Sequence, residues 1–94
     1  MKIGGLLWIE RIVDKLAWKH SVSKSEVAEV FASRPHYRFI EKGERVGEDL
    51  YAAYGRTDAG RYLTVFFVYK KTREALIVSA RAMTKTERRS YGKT

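Results

Sequence analysis

The stretch that decides the fold is Arg61-Tyr-Leu-Thr-Val-Phe-Phe-Val-Tyr69, in which β-branched and aromatic residues predominate. Such residues favour a strand. The predicted strand, Tyr62 to Tyr69, is apolar on both faces, which is typical of a central strand that is covered on each side. A charged turn, 70–74, separates it from a second apolar segment, Ala75 to Ala82, which predicts a neighbouring strand. These two segments predict the centre of a small sheet.

Two further strands are predicted on the N-terminal side of this centre. They cover His36 to Glu41 and Leu50 to Arg56, and a polar loop, 42–48, joins them. Thr57-Asp-Ala-Gly60 is a hairpin pattern, in which the glycine is free to adopt a positive φ. Because short turns join consecutive strands, we expect an antiparallel meander of four strands.

Three helices complete the prediction. The first, Ile9 to Lys19, carries an apolar stripe at helical spacing. Ser23-Lys-Ser-Glu26 and Thr84-Lys-Thr-Glu87 are capping-box patterns. They open a second helix that stops before Pro35 and a short last helix that reaches Tyr91. The predicted fold is therefore α+β, in the order α-α-β-β-β-β-α, with the two N-terminal helices packed on one face of the sheet. A partner is a candidate for the other face.

The length and the charge of the chain limit which partners it is expected to bind. Ninety-four residues predict a single domain, 1–94, with a net charge of +8. Residues 1–50 hold nine Lys/Arg and eight Asp/Glu, whereas residues 51–94 hold ten and three. This asymmetry predicts an anionic partner at the C-terminal half, and RNA is the first to consider. The alternative is a charged face that serves solubility alone.

Several classes of protein and site are disfavoured. The chain has no cysteine, which excludes disulfides and thiolate metal sites and favours the reducing cytoplasm. No apolar run approaches the roughly 20 residues of a membrane span, and the N-terminus lacks a signal-peptide pattern. His20 and His36 are sixteen residues apart. We therefore predict neither a metal nor a cofactor.

Three segments together resemble the BrnT family of type II toxins, which are ribonucleases related in fold to RelE. The segments are Trp8 with Lys19-His20 and Val22-Ser23, Gly55 to Val65, and Ile77 to Tyr91. The last is the most specific, because charged and turn residues agree as well as apolar ones. The first helix departs from the family pattern, since apolar residues or serine replace its Asp, Lys, Asn and Gly, at Ile9, Ile12, Leu16 and Ser21.

The resemblance implies an activity and a partner. It implies an endoribonuclease that needs no metal, cleaves RNA through attack of the 2′-hydroxyl, and inhibits translation. It also implies a cognate antitoxin, BrnA-like with a ribbon-helix-helix part, in a heteromeric complex that contacts operator DNA only through the antitoxin. Two alternatives stay open: a non-catalytic nucleic-acid-binding module, and a degenerate toxin that retains only antitoxin binding.

Arginine is suited to stabilise the charge that grows on a phosphate during cleavage, because its planar fork grips two oxygens. Arg81 closes the last strand and is the first catalytic candidate. Strand alternation places it on the face of Ser79 and Ile77. Its alternative role is a salt bridge to Glu87 or Glu48. Arg61, after the hairpin, is the second candidate, or else it caps a sheet edge. We expect these guanidinium groups to converge on one phosphodiester.

Proton transfer and RNA binding need further groups. His20 is a candidate acid or base, although its place at a helix corner equally favours a structural role. Glu48 is a candidate base if its loop folds over the sheet. Cations and aromatic side chains that grip the RNA backbone or stack on bases are predicted near the C-terminus. These RNA-binding candidates are Lys85, Arg88, Arg89, Tyr91 and Tyr62.

Overall fold

A computed structural model describes residues 1–93, which form five strands and three helices around one sheet. In chain order, the elements are β1 (Gly5–Leu7), α1 (Glu10–His20), α2 (Lys24–Ala32), β2 (His36–Glu41), β3 (Asp49–Arg56), β4 (Tyr62–Tyr69), β5 (Glu74–Ala82) and α3 (Lys85–Gly92). The predicted helices and four of these strands lie where the sequence placed them, within about one residue at each end.

The sheet has the order β1-β5-β4-β3-β2, so that β4 is central, as its two apolar faces predicted. The prediction of four antiparallel strands is wrong in one respect, because β1 adds a fifth strand that pairs in parallel with β5. Gly4 N–H donates to the Arg73 carbonyl at 2.8 Å, and the Tyr69 hydroxyl donates to the Lys2 carbonyl at 2.7 Å. The sheet is therefore mixed, and the N-terminus forms one of its edges.

Both predicted capping boxes form. The Ser23 hydroxyl accepts from the Glu26 N–H at 3.1 Å, and Thr84 does the same for Glu87, also at 3.1 Å. Each glutamate in turn accepts from the backbone N–H of its capping residue. Ser21 ends α1 in the left-handed region, at φ 54°. A serine thus adopts the conformation for which glycine is preferred, at a cost of about 1 kcal/mol.

Helices α1 and α2 cover one face of the sheet, called here the helical face. Leu16 and Val30 are buried against sheet residues such as Phe67. An irregularity in the pairing of β4 and β5 skips Val78, because Phe66 pairs with Ser79 while Phe67 pairs with Ile77. The skipped residue reverses the alternation. Ile77 is consequently buried in the core, whereas Arg81 projects from the opposite face of the sheet. The prediction that Arg81 and Ile77 lie on the same face is therefore wrong.

Helix α3 lies on the opposite face, called here the outer face. Thr64 projects from this face, opposite its buried neighbours Leu63 and Val65, and its hydroxyl donates to Glu87 of α3 at 3.0 Å. The chain's own last helix thus covers part of the face for which a partner was a candidate. Within residues 1–93, no helix is long and apolar enough to cross a membrane.

Candidate nucleic-acid interface

An open cavity of about 420 Å³ lies on the outer face between α3 and strands β2 and β3. We call it the outer groove. Residues from both of its sides line it, and they are His36, Tyr37, Arg38, Tyr54, Thr86, Glu87, Ser90 and Tyr91. The ring of Tyr37 itself packs on the helical face, against Phe31 and Phe67. Its volume falls in the range of about 300–1,000 Å³ that small-molecule sites occupy.

The strand register sets the floor of the outer groove. His36 pairs with Tyr54, Tyr54 with Thr64, and Thr64 with Arg81, so that these four residues form one row across β2, β3, β4 and β5. Residues that pair directly across strands project from the same face. With about 4.8 Å between strands, the row places His36 and Arg81 about 14 Å apart, Cα to Cα. His36 and Tyr54 of this row line the outer groove, whereas Thr64 is buried and bound to Glu87, and Arg81 lies beyond it.

A chain of aromatic and cationic contacts, called here the aromatic–cation row, extends across the outer face. The His36 ring meets Tyr91 edge to face at 5.2 Å, and Tyr91 meets Tyr62 at 5.9 Å. The guanidinium groups of Arg88 and Arg56 lie 4.0 and 5.0 Å from the Tyr62 ring centroid. Aromatic rings beside cations bind single-stranded nucleic acid, because rings stack on bases while cations neutralise phosphates.

Arg81 forms an ion pair with Glu87 at the inner end of the outer groove. Its two terminal nitrogens contact the two carboxylate oxygens at 2.7 and 2.9 Å, and one of them also donates to the Ala82 carbonyl at 3.1 Å. Hydrogen bonds from Arg81 lower the pKa of Glu87 to about 2, and the carboxylate in turn raises the pKa of Arg81. Both groups are therefore charged throughout the physiological pH range.

Glu87 is also a structural link between α3 and the sheet. Besides Arg81, it accepts from the Thr64 hydroxyl at 3.0 Å and from the Thr84 backbone N–H at 2.9 Å. A single carboxylate thereby caps the helix, binds the central strand and neutralises the arginine of the last strand. The position of α3 over the outer groove depends on this group.

Arg61 lies on the other side of the sheet, and the expected convergence of Arg61 and Arg81 is not found. Arg61 donates to the Ser21 carbonyl and to Glu26, both at 2.8 Å. Burial raises the pKa of Glu26, but the hydrogen bond from Arg61 and those at the Ser23 cap lower it more. Arg61 thus braces the corner between α1 and α2. His20 belongs to the same corner, at the end of α1.

The structure places Glu48 far from these arginines. Glu48 precedes β3, whereas Arg56 ends it, and a strand that rises about 3.3 Å per residue separates the two ends by about 23 Å. The loop of Glu48 therefore does not fold over the outer groove.

The predicted RNA-binding residues divide between two sides of α3. Tyr91 and Arg88 lie towards the sheet, where both contact Tyr62. Lys85 and Arg89 are exposed one turn apart; at 100° per residue, Arg89 lies on the side away from Tyr91, whereas Lys85 is only about 60° from Arg88. Of the predicted set, Tyr91 lines the outer groove. Tyr62 and Arg88 adjoin it through ring contacts, and Arg81 is bound to Glu87, which also lines it.

The residues of this site that were not predicted include His36, Arg38 and Tyr54 of the outer groove and Arg56 of the aromatic–cation row. A signal for them was present, because His36 and Arg38 alternate on one face of a predicted strand, as do Tyr54 and Arg56. What the sequence did not indicate was that α3 would lie over that face.

Metal ligands are scarce in the part of the chain that the structure describes. Within residues 1–93, no group of three or more histidine, aspartate or glutamate side chains is placed to hold a metal ion. Among these described residues, Glu87 is the only carboxylate that lines the outer groove, and it is engaged by Arg81. The charged groups available to a ligand there are cations.

A small α+β domain whose sheet carries a cationic and aromatic groove belongs to the class of nucleic-acid-binding or nucleic-acid-processing proteins. The model of the BrnT family, ribonuclease toxins of type II toxin–antitoxin systems, matches residues 8–87. The chain therefore belongs to this family, which implies an RNA substrate and an antitoxin partner.

A solved structure supports the fold. The ribonuclease toxin BrnT of Brucella abortus superposes with a TM-score of 0.63 over 89% of this chain and 100% of that chain, at 16% sequence identity. No curated protein sequence matches the chain. At this identity the structural likeness establishes the α+β architecture, and the assignment of residues to tasks depends on the geometry of the outer groove.

Proposed function

We propose that the outer groove binds single-stranded RNA and that the chain cleaves it in the cytoplasm without a metal, which inhibits translation. The observation that carries this proposal is the aromatic–cation row. It joins three rings and two guanidinium groups on the outer face, and its His36 and Tyr91 line the cavity. The excess of positive charge in residues 51–94 agrees with an anionic ligand on this face.

In the proposed reaction, the ribose 2′-oxygen forms a bond to the neighbouring phosphorus, and the bond from phosphorus to the 5′-oxygen breaks. The products are a 2′,3′-cyclic phosphate and a 5′-hydroxyl. Negative charge increases on the phosphoryl oxygens in the transition state, and positioned cations stabilise it. Arg38, which lines the cavity, is proposed for this task together with Arg81, which binds Glu87 at its border, and Arg88 of the aromatic–cation row.

The ion pair with Glu87 does not occupy the whole guanidinium group of Arg81. An arginine has five N–H donors, and contacts within residues 1–93 use three of them. Two donors therefore remain for phosphoryl oxygens. We propose that Glu87 holds Arg81 in position and keeps it charged, while the remaining donors face the RNA.

The same ion pairs favour a second candidate function. Glu26 neutralises Arg61, and Glu87 neutralises Arg81, so that both arginines predicted to be catalytic have a carboxylate of their own chain. A non-catalytic RNA-binding module needs only the aromatic–cation row. Under this alternative, the chain binds RNA with the same residues and leaves it intact.

For the antitoxin, we propose a BrnA-like protein with a ribbon-helix-helix part, which would contact operator DNA on behalf of the complex. An acidic segment of it would compete with RNA for Arg38, Arg56 and Arg88, because charge complementarity is the same for both ligands. Co-expression followed by size-exclusion chromatography tests the heteromeric complex. Recovery of this chain alone would contradict it.

The direct test of the proposed function compares two arginine variants. Arg88→Ala removes a cation of the outer groove, whereas Arg45→Ala removes the same charge from the exposed loop before β3. Single-turnover cleavage of a labelled single-stranded RNA should slow by about tenfold or more in Arg88→Ala, since a charge-assisted contact contributes about 1.5–3 kcal/mol. It should change less than about twofold in Arg45→Ala, because exposed charges interact weakly.

The products and conditions of the assay distinguish the alternatives. If the proposal is correct, the RNA products carry 2′,3′-cyclic phosphate termini, and the cleavage rate is the same with and without EDTA. Binding that Arg88→Ala weakens, with no cleavage by the wild-type chain, would indicate the non-catalytic module. An antitoxin complex formed by a chain that neither binds nor cleaves RNA, and that leaves growth unchanged when induced, would indicate a degenerate toxin.

A further inference from the structure

The proposed reaction needs a group that takes the proton of the 2′-hydroxyl, and few groups in the outer groove fit this task. Glu87 is ionised with a pKa of about 2, which makes it a very weak base, and Arg81 already binds it. The ring of Tyr37 packs on the helical face, against Phe31 and Phe67, so that its hydroxyl does not serve the outer groove. The hydroxyls of Thr86 and Ser90 have no accessible ionisation near neutral pH.

The imidazole of His36 has the chemistry that these groups lack. Imidazole is the only side chain whose ordinary pKa allows both protonation states between pH 5 and 8. His36 is exposed at the start of β2 and lines the outer groove, so that a bound strand can reach it. The second histidine of the chain, His20, ends α1 on the helical face and has no access to this cavity.

The surroundings of His36 orient it towards a substrate in the outer groove. Tyr91 of α3 packs against its ring at 5.2 Å with an interplanar angle of 76°. Tyr54 of β3 is its neighbour across the strands, and Glu87 of α3 and Arg38 of β2 line the same cavity. Arg81 lies about 14 Å away in the same strand row, beyond Thr64, which is buried and bound to Glu87. The cation that shares the cavity with His36 is Arg38, so that a phosphodiester bound there would meet a base and a cation of the same strand.

We propose that His36 is the general base of this chain, an inference that rests on the proposed RNA cleavage. Its neutral imidazole accepts the proton of the 2′-hydroxyl as the 2′-oxygen bonds to phosphorus. The 5′-oxygen leaves with the electron pair of its bond and takes a proton from water. The resulting hydroxide is neutralised by the proton that the imidazolium then releases, so that protons and charge balance.

The experiment measures single-turnover cleavage by the purified chain between pH 5 and 9, together with RNA affinity. His36→Asn should lower the rate at pH 7.5 by about a hundredfold or more, in the range typical of general acid–base catalysis. Because the ring is also part of the aromatic–cation row, RNA affinity should fall as well, but by much less than the rate. The wild-type rate should rise with pH through the range in which imidazole titrates, and this dependence should disappear in the variant.

Two further variants keep the inference refutable. Added imidazole should restore cleavage by His36→Ala, which a merely structural role of the ring would not allow. His20→Asn tests the other histidine: loss of activity there, with normal rates in His36→Asn, would overturn the inference. An equal loss of affinity and rate in His36→Asn would overturn it as well, because it would indicate a binding role.

Failure of the inference and failure of the proposed function give different results. If the wild-type chain cleaves RNA and His36→Asn cleaves it equally fast, only the role of His36 is refuted. If the wild-type chain cleaves no RNA under any of these conditions, the proposed function is refuted and the role of His36 with it. Thermal unfolding, followed by circular dichroism, verifies that each variant is folded.

Discussion

Replacement of Glu87 by glutamine tests the link between α3 and the sheet. The substitution keeps the shape of the side chain and an oxygen that can accept from Thr64 and Thr84, but it removes the charge that Arg81 binds at 2.7 and 2.9 Å. The difference between the ordinary pKa of 4.5 and the folded value of about 2 corresponds to about 3 kcal/mol. Because both side chains are partly exposed to water, we expect Glu87→Gln to cost about 2 kcal/mol at pH 7.

The pH dependence has a definite sign. The pKa of Glu87 is lower in the folded chain than in the unfolded chain, so that the folded state favours the ionised carboxylate. Its contribution to stability is complete above about pH 4.5 and is lost as the pH falls towards 2. Glutamine resembles the protonated acid at every pH. The difference in stability between wild type and variant should therefore shrink between pH 5 and 3.

Urea unfolding at pH 7, 5, 4 and 3 measures this difference. Glu44→Gln, in the exposed loop before β3, is the matched control and should change the free energy of unfolding by less than about 0.5 kcal/mol. A double-mutant cycle with Arg81→Gln isolates the coupling between the pair. A loss below about 0.5 kcal/mol at pH 7, or a loss as large at pH 3 as at pH 7, would refute the reasoning.

Two other predictions follow from the close packing of β3 and from the charge of the outer groove. A Cβ added at Gly55 would lie 2.8 Å from Ser33 Oγ and 3.0 Å from Val30 Cγ1, so that Gly55→Ala should destabilise the fold by about 1–3 kcal/mol in urea unfolding. The control is Gly92→Ala, where no atom lies within 4 Å of the added Cβ, so that this variant should not destabilise the fold. If the two variants are equally stable, α2 moves away from the added methyl group at little cost, and the prediction is wrong. Single-stranded RNA affinity should fall with salt, and Arg88→Ala should reduce the log–log slope by about 0.7, the value for one phosphate contact. An unchanged slope in fluorescence anisotropy titrations would place Arg88 outside the RNA interface.

The sequence predicted those parts of the fold that depend on neighbours along the chain. The strand Tyr62–Tyr69, the capping boxes at Ser23 and Thr84, and the hairpin at Gly60 each depend on a few consecutive residues. Their signals are local, since side-chain periodicity and cap chemistry act within one or two turns. The charge asymmetry and the motifs of the last third likewise lie within short stretches of the chain, and they indicated an RNA-directed toxin.

Contacts between distant residues decided what the sequence left open. Strand β1 has only three residues, and its parallel partner lies about 70 positions later, which no local pattern predicts. The irregularity at Val78 depends on how β4 and β5 align, and one skipped residue reversed the side on which Arg81 projects.

The candidate site was likewise determined partly by local sequence and partly by contacts between distant residues. Composition alone favoured an RNA-binding role for arginines and tyrosines near the C-terminus. Of these residues, Tyr91 lines the outer groove, and Tyr62 and Arg88 adjoin it through ring contacts. Only the packing of α3 on the outer face brought His36 of β2 to Tyr91, while Arg61 went to the helix corner. Residue type determines which chemistry a chain can perform, but the tertiary contacts determine which of those residues share one cavity. The reason is that helix packing joins side chains more than 50 positions apart, where sequence spacing carries no information about distance.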